Sequence, residues 1–253
     1  MEDKVFICFA AEDRYRIVES IVFHLKNYGI IMWYDRYSLV LGDNRIQKNL
    51  VEGAFVCKYA VIIISEFTSE SQCAMEEISI IKERYYTNDV IVFPILYELP
   101  PEKLSINLQW IKELIFKEAT SHSGTYEICN HIACKITGDI LQKYSYRKIS
   151  NVVNSLSNVL PSAIYQMLID YQEIDAANLN SKITLLYAIY ITLKDLMTSL
   201  GLPSNAIISS VFTRLFCETK LSLSIDYREL WLLENCTCIL INQYAHYCIE
   251  SKI

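Results

Sequence analysis

The chain has 253 residues, room for one large domain or two modest ones. Apolar residues make up 52% and charged residues 21%, which is enough for a buried core. A net charge of −6 excludes nucleic acid as the main partner, because phosphate binding needs a basic field.

Val5 to Ala10 is an unbroken apolar run and reads as a buried first strand. Asp13 stands where a helix N-cap is expected, ahead of Ile17, Ile21 and Leu25 at every fourth residue. Gly29 ends that helix at a left-handed C′ position. Ile30 to Tyr34 is the second strand, closed by Asp35, and the loop from Arg36 to Asn44 carries Gly42-Asp43. Ile46, Leu50 and Val51 predict the apolar face of a following helix. Ala60 to Ile64 is short and wholly apolar, as suits a strand buried on both faces of a parallel sheet. Ser71 is then the expected N-cap of a helix bearing Ala74, Ile78 and Ile81 on one face, with Glu77 beside Ile78.

Val90 to Leu96 is the fourth strand, and Pro94 within it points to an edge or a bulge near its end. Leu114 to Phe116 is a short fifth strand. Ile128, Ile132, Ile136 and Ile140 predict an amphipathic helix from Gly124 to about Leu141. The alternation of strand and helix calls for an α/β fold, a parallel sheet with helices on both faces.

After about Tyr144 the text turns helical: Ile149–Val159, Ser162–Ile174, Ser181–Leu200, Ser204–Lys220 and Asp226–Glu250. The breaks are Pro161, Gly201-Leu202-Pro203 and the stretch around Ser222–Ser224. Charge thins there, while Tyr187, Tyr190, Phe212, Phe216, Trp231 and Tyr244 add aromatic bulk. Such a unit packs its own bundle or gives a face to a partner. The expected division is a first domain over 1–145 and an all-helical second domain over 146–253.

The nine cysteines form no repeating frame. Cys8, Cys57, Cys129, Cys134 and Cys217 sit in apolar contexts, and Cys236 with Cys238 makes only a C-x-C, so no metal site is expected. No signal peptide is visible, and the apolar helix Ile183–Leu193 is too short to span a bilayer. The expectation is a cytoplasmic protein with no membrane partner.

Three stretches carry a family resemblance. V-F-I-C-F-A-A-E-D resembles the first box of the Toll/interleukin-1 receptor (TIR) domain family, and M-W-Y-D-R-Y-S-L-V-L-G-D resembles its second. S-E-F-T-S-E-S-Q-C-A-M-E-E-I is similar to the segment S-x-x-Y-x-x-S-x-W-C-x-x-E-L, with Cys73 where Trp is common and Ala10 where a polar residue often follows the first strand. The resemblance covers a little over half the chain and implies a flavodoxin-like fold. It places Glu77 at the glutamate that catalytic members use to cleave NAD, with Glu76 the alternative one residue away.

What the resemblance implies is an NAD+ glycohydrolase or ADP-ribosyl cyclase, with NAD as substrate and no cofactor, acting in bacterial antiphage defence. The second reading is a non-catalytic adaptor or scaffold working through TIR–TIR contacts. A third makes the helical tail a ligand sensor. Breaking the nicotinamide–ribose bond builds positive charge on the sugar, as in glycoside hydrolysis, and a nearby carboxylate stabilises it. The nicotinamide ring is cationic before it leaves, so no strong general acid is required. The expected substrate-binding residues are Phe9 and Trp33 as flat apolar surface, Arg36 and Asp43 framing a gating loop, and Ser71. Self-association through both the TIR and the helical domain is expected. No glycine-rich dinucleotide fingerprint follows the first strand, which excludes ordinary hydride chemistry on that motif.

Overall fold

In a computed structural model of the chain, the alternating first half folds as a five-stranded parallel sheet in the order β2-β1-β3-β4-β5. The structure describes residues 2–220 and 226–250, with side chains described over 4–214 and 226–250. The break expected around Ser222–Ser224 and the side chains of Phe216 and Cys217 lie outside the described residues. Two compact units are present: Met1–Lys26 with Ile30–Cys129, and Asn27–Gly29 with Asn130–Ile253.

The strands are β1 (Glu2–Cys8), β2 (Met32–Trp33), β3 (Cys57–Ile64), β4 (Ile91–Tyr97) and β5 (Lys117–Ala119). Central β3 is buried at every position but Lys58, because Tyr59, Val61 and Ile63 face one side while Ala60, Ile62 and Ile64 face the other. One face carries Phe6, Trp33, Ile78, Ile81 and Trp110 as a single apolar cluster. The helices of this unit are α1 (Glu19–Asn27), α2 (Asp35–Ser38) and α3 (Gln72–Tyr86), and α4 (Tyr126–Leu141) runs across the boundary between the units. Ile17, Ile21 and Leu25 are all buried, as their spacing requires.

Several expectations are corrected. Asp13 caps no helix through its side chain. The helical run already begins as a 3-10 turn at Ala11–Asp13, too early for Asp13 to cap it. Instead Asp13 is wholly buried and accepts a hydrogen bond from Ser65 Oγ at 2.6 Å. The fifth strand lies at Lys117–Ala119, and Leu114 to Phe116 precede it, with Ile115 96% exposed.

Strand β4 is interior rather than an edge, and its register with β3 is regular. Pro94 is tolerated because β5 pairs only Ile95 to Tyr97, so that flank of β4 has no partner strand at Pro94.

The helix after the Gly42-Asp43 loop is a π-helix, Ile46–Ala54. Its wider turn brings Asn49, Gly53 and Ala54 inward and leaves Ile46 and Val51 60% and 41% exposed, so the face expected from α-helical spacing is not the buried one. Gly53 is needed there: a Cβ would lie 2.7 Å from Phe6 and 3.1 Å from Trp33.

In the second unit the helices are α5 (Ile149–Ser155), α6 (Ser162–Glu173), α7 (Leu179–Ser199), α8 (Ala206–Lys220) and α9 (Tyr227–Glu250). α9 packs against α5, α7 and α8 and is buried almost all round from Leu232 to Ala245. Asn242 pays for its burial with three bonds: Nδ2 donates to Tyr146 O and Cys238 O, each at 2.7 Å, and Oδ1 accepts from Tyr146 N. Tyr190 stacks on Phe212 with ring centres 4.2 Å apart. Gly29 has φ +69°, and a Cβ there would meet Ala206 O at 2.6 Å. Among the described residues no helix is long and apolar enough to cross a membrane.

Candidate functional site

A sheet ordered 2-1-3-4-5 reverses its winding between β1 and β3, and such folds bind ligands beyond the carboxyl ends of the strands there. Cys8 is the last residue of β1, and α3 follows β3 through a polar turn. Ser71 caps α3, its Oγ accepting from Ala74 N at 3.3 Å. Glu77 lies six residues further on, facing inward and only 7% exposed.

Glu77 is held from the π-helix. Asn49 Nδ2 donates to Glu77 Oε1, while Asn49 Oδ1 is buried without a hydrogen-bond partner. Burial pushes the Glu77 carboxyl up from 4.5 to about 7. Hydrogen bonds from Cys8 and Asn49 and the charge of Arg45 pull it down, and the charge of Asp35 pushes it up. The Cys8 thiol is in turn raised well above its ordinary range by burial and by Glu77. Glu76, one residue earlier, points elsewhere: it accepts from Arg45 Nη2 at 2.6 Å and from Gln72 Nε2 at 2.9 Å, and those bonds hold its carboxyl low. The two glutamates are thus electrostatic opposites, one buried and readily protonated, the other exposed and ionised.

The other expected residues occupy varied places. Trp33 is buried in β2 and stacks on Phe6 with ring centres 5.2 Å apart. Phe9, half-buried just after β1, lies under the Arg14 guanidinium at 5.0 Å. Arg36 on α2 is tied to Glu19 by a 2.7 Å ion pair. Asp43 Oδ2 accepts from Val40 N at 2.8 Å and closes its own loop. Asn49 touches Glu77, while Asp35 and Arg45, paired with Arg14 and Glu76, act on it through charge. The structure ties Arg36 and Asp43 to partners elsewhere, and Ser71 serves the helix cap.

Asn49, Arg45 and Asp35 were not singled out from sequence. Asn49 carried one signal, a poor helix former placed mid-helix, but α-helical spacing put it on the outer side. Among the described residues no group of three His, Cys, Asp or Glu side chains could hold a metal ion.

Residues 5–122 match the family described as "TIR domain". This segment is a TIR domain. Its similarity extends to curated proteins. The NAD(+) hydrolase TcpC of Escherichia coli O6:H1 is 26% identical over 51% of this chain and 41% of its own length. The NAD(+) hydrolase TcpA of a Theionarchaea archaeon is 25% identical over 41% of this chain and 31% of its own. The probable 2′ cyclic ADP-D-ribose synthase TcpO of Methanobrevibacter olleyae is 29% identical over 52% of this chain and 39% of its own. The chain therefore spans well under half the length of these relatives.

Proposed function

We propose that this chain cleaves NAD at the bond between nicotinamide and ribose, with Glu77 stabilising the positive charge that builds on the sugar. The observation that supports this is the buried carboxylate of Glu77 at the β1/β3 ends, held by Asn49 and raised to about 7. Relatives named for NAD hydrolysis and for cyclic ADP-ribose synthesis support the same bond as the target.

A buried carboxylate is costly to ionise alone. An incoming cationic nicotinamide ring lowers that cost, and the ribosyl cation that follows uses the charge where it develops. Nicotinamide then departs neutral with the bonding electron pair. Water adding to the ribosyl carbon, with loss of a proton, gives ADP-ribose. Attack by an atom of the adenosine half gives a cyclic product. Exclusion of water decides between them. Phe9, partly open beside Arg14, is the proposed ring contact, with Arg36 and Asp43 at the rim.

Glu77→Gln keeps the size and removes the charge, so turnover of NAD is expected to fall by roughly a hundredfold or more with the fold retained. Glu76→Gln is expected to keep most activity. Full activity in Glu77→Gln overturns the assignment, and loss in Glu76→Gln alone moves it by one residue. The proposed setting is antiphage defence in a bacterial cytoplasm, where survival of phage challenge by cells expressing the chain should depend on Glu77.

A further inference from the structure

The helical unit holds a cavity of about 470 Å³, opening between the start of α5, the end of α6, the start of α7 and one face of α9. That volume is in the range of small-molecule sites. Three cations line it, Arg147, Lys148 and Lys182, although the chain as a whole carries −6. The Lys148 side chain is exposed, with no hydrogen bond or ion pair to the described residues. Arg147 is anchored by bonds from Nε and Nη2 to Tyr144 O and Gln142 O, leaving Nη1 to donate elsewhere. Lys182 gives one bond to Tyr171 O and stands 4.2 Å above the Tyr171 ring, keeping two N–H groups.

α9 contributes Trp231, Glu234 and Asn235 at i, i+3 and i+4, with Cys238 a turn further on. Trp231 is 53% exposed, unusual for the largest apolar side chain. Glu234 Oε1 accepts from Tyr171 O–H, which fixes the carboxylate and leaves its second oxygen as an acceptor. Asn235 is 5% exposed, and its Nδ2 has no hydrogen-bond partner.

We propose that this cavity binds a nucleotide. Its phosphates meet Lys148, Arg147 and Lys182, its base stacks on Trp231, and the second carboxylate oxygen of Glu234 accepts from the polar edge of the base. Cations alone fit any anion. The open indole beside the fixed Glu234 carboxylate is what selects a flat, hydrogen-bonding ring carrying phosphate. The site stands apart from NAD cleavage and does not depend on it.

Trp33 and Trp110 are buried outside this unit, so a ligand-dependent change in tryptophan emission reports chiefly on Trp231. The chain is titrated with AMP, ADP, GDP and UDP, and separately with adenosine and inorganic phosphate. A saturable change with at least one nucleotide is expected, tighter than with adenosine or phosphate alone and weakened by salt. By calorimetry, Lys148→Ala and Trp231→Ala should each weaken that nucleotide by about tenfold, the scale of one lost stacking or phosphate contact, with melting temperature unchanged. Saturation by none of the four nucleotides overturns the site. So does phosphate binding as tightly as the nucleotide, wild-type affinity in both variants, or loss of binding in Glu77→Gln, which would put the nucleotide in the TIR domain.

Discussion

Glu77 ties the stability of the folded chain to pH through one proton. Its pKa is about 7 in the folded chain and near 4.5 when unfolded, so between those values the folded state holds a proton that the unfolded state has lost. Stability therefore falls as pH rises from 4.5 to 7, and the full cost, roughly 3 kcal/mol, applies above 7. Glu77→Gln should consequently raise the melting temperature in mildly alkaline buffer and change it little in acid. Thermal melts at the two ends of that range check the sign, and a variant less stable in alkali contradicts it. If the ionised form is the catalyst, kcat/KM of the wild type should climb through pH 7, while kcat reports a lower value because the bound cation favours ionisation. Trp33 belongs to the same scale. Buried and stacked on Phe6 against Gly53, it predicts that Trp33→Ala loses about 3–5 kcal/mol of stability, measured by denaturant unfolding. Unchanged stability with a raised Michaelis constant would instead make it a substrate contact.

Among the elements, the π-helix Ile46–Ala54 holds Glu77, because its pitch aims Asn49 at that carboxyl. Asn49→Ala removes a bond that favours the charged form, so the pH limb of kcat/KM should move upward and kcat/KM at neutral pH should fall. An unmoved limb would make Asn49 a packing residue only. In the helical unit, Asn242→Ala leaves Tyr146 N and O unpaired and should cost about 1–3 kcal/mol in urea unfolding. Strands β1 and β3, helix α3 and its Ser71 cap, and all five late helices were legible in the sequence, since an unbroken apolar run or a regular i+4 repeat has one cheap burial. What was not legible came from irregular backbone. A π-turn reverses which residues of Ile46–Ala54 face inward, and β5 is a three-residue segment, K-E-A, whose one apolar residue is the small Ala119. Glu77 is singled out in the sequence by its family pattern. Its Asn49 partner was lost with the helix face.

For the whole molecule, charge and helix content divide the labour. Asn151–Ile253 carries nine acidic and six basic side chains, and its exposed apolar groups include Trp231 and Tyr227. The proposed role for this helical unit is to bring TIR domains together, since a site near the rim of an open sheet excludes water poorly by itself. Specific activity should then rise with protein concentration, followed alongside size by light scattering. A flat specific activity across the range in which the chain changes size would leave the unit as a ligand-binding partner only. The measurement that bears most directly on the account is release of nicotinamide from NAD by the full chain, with products resolved by mass, on both sides of pH 7 and beside Glu77→Gln. The account predicts nicotinamide with ADP-ribose or a cyclic isomer, more above pH 7 than below it, and roughly a hundredfold less or none from the variant. Intact NAD with the wild type, or equal turnover by the two proteins, would contradict it.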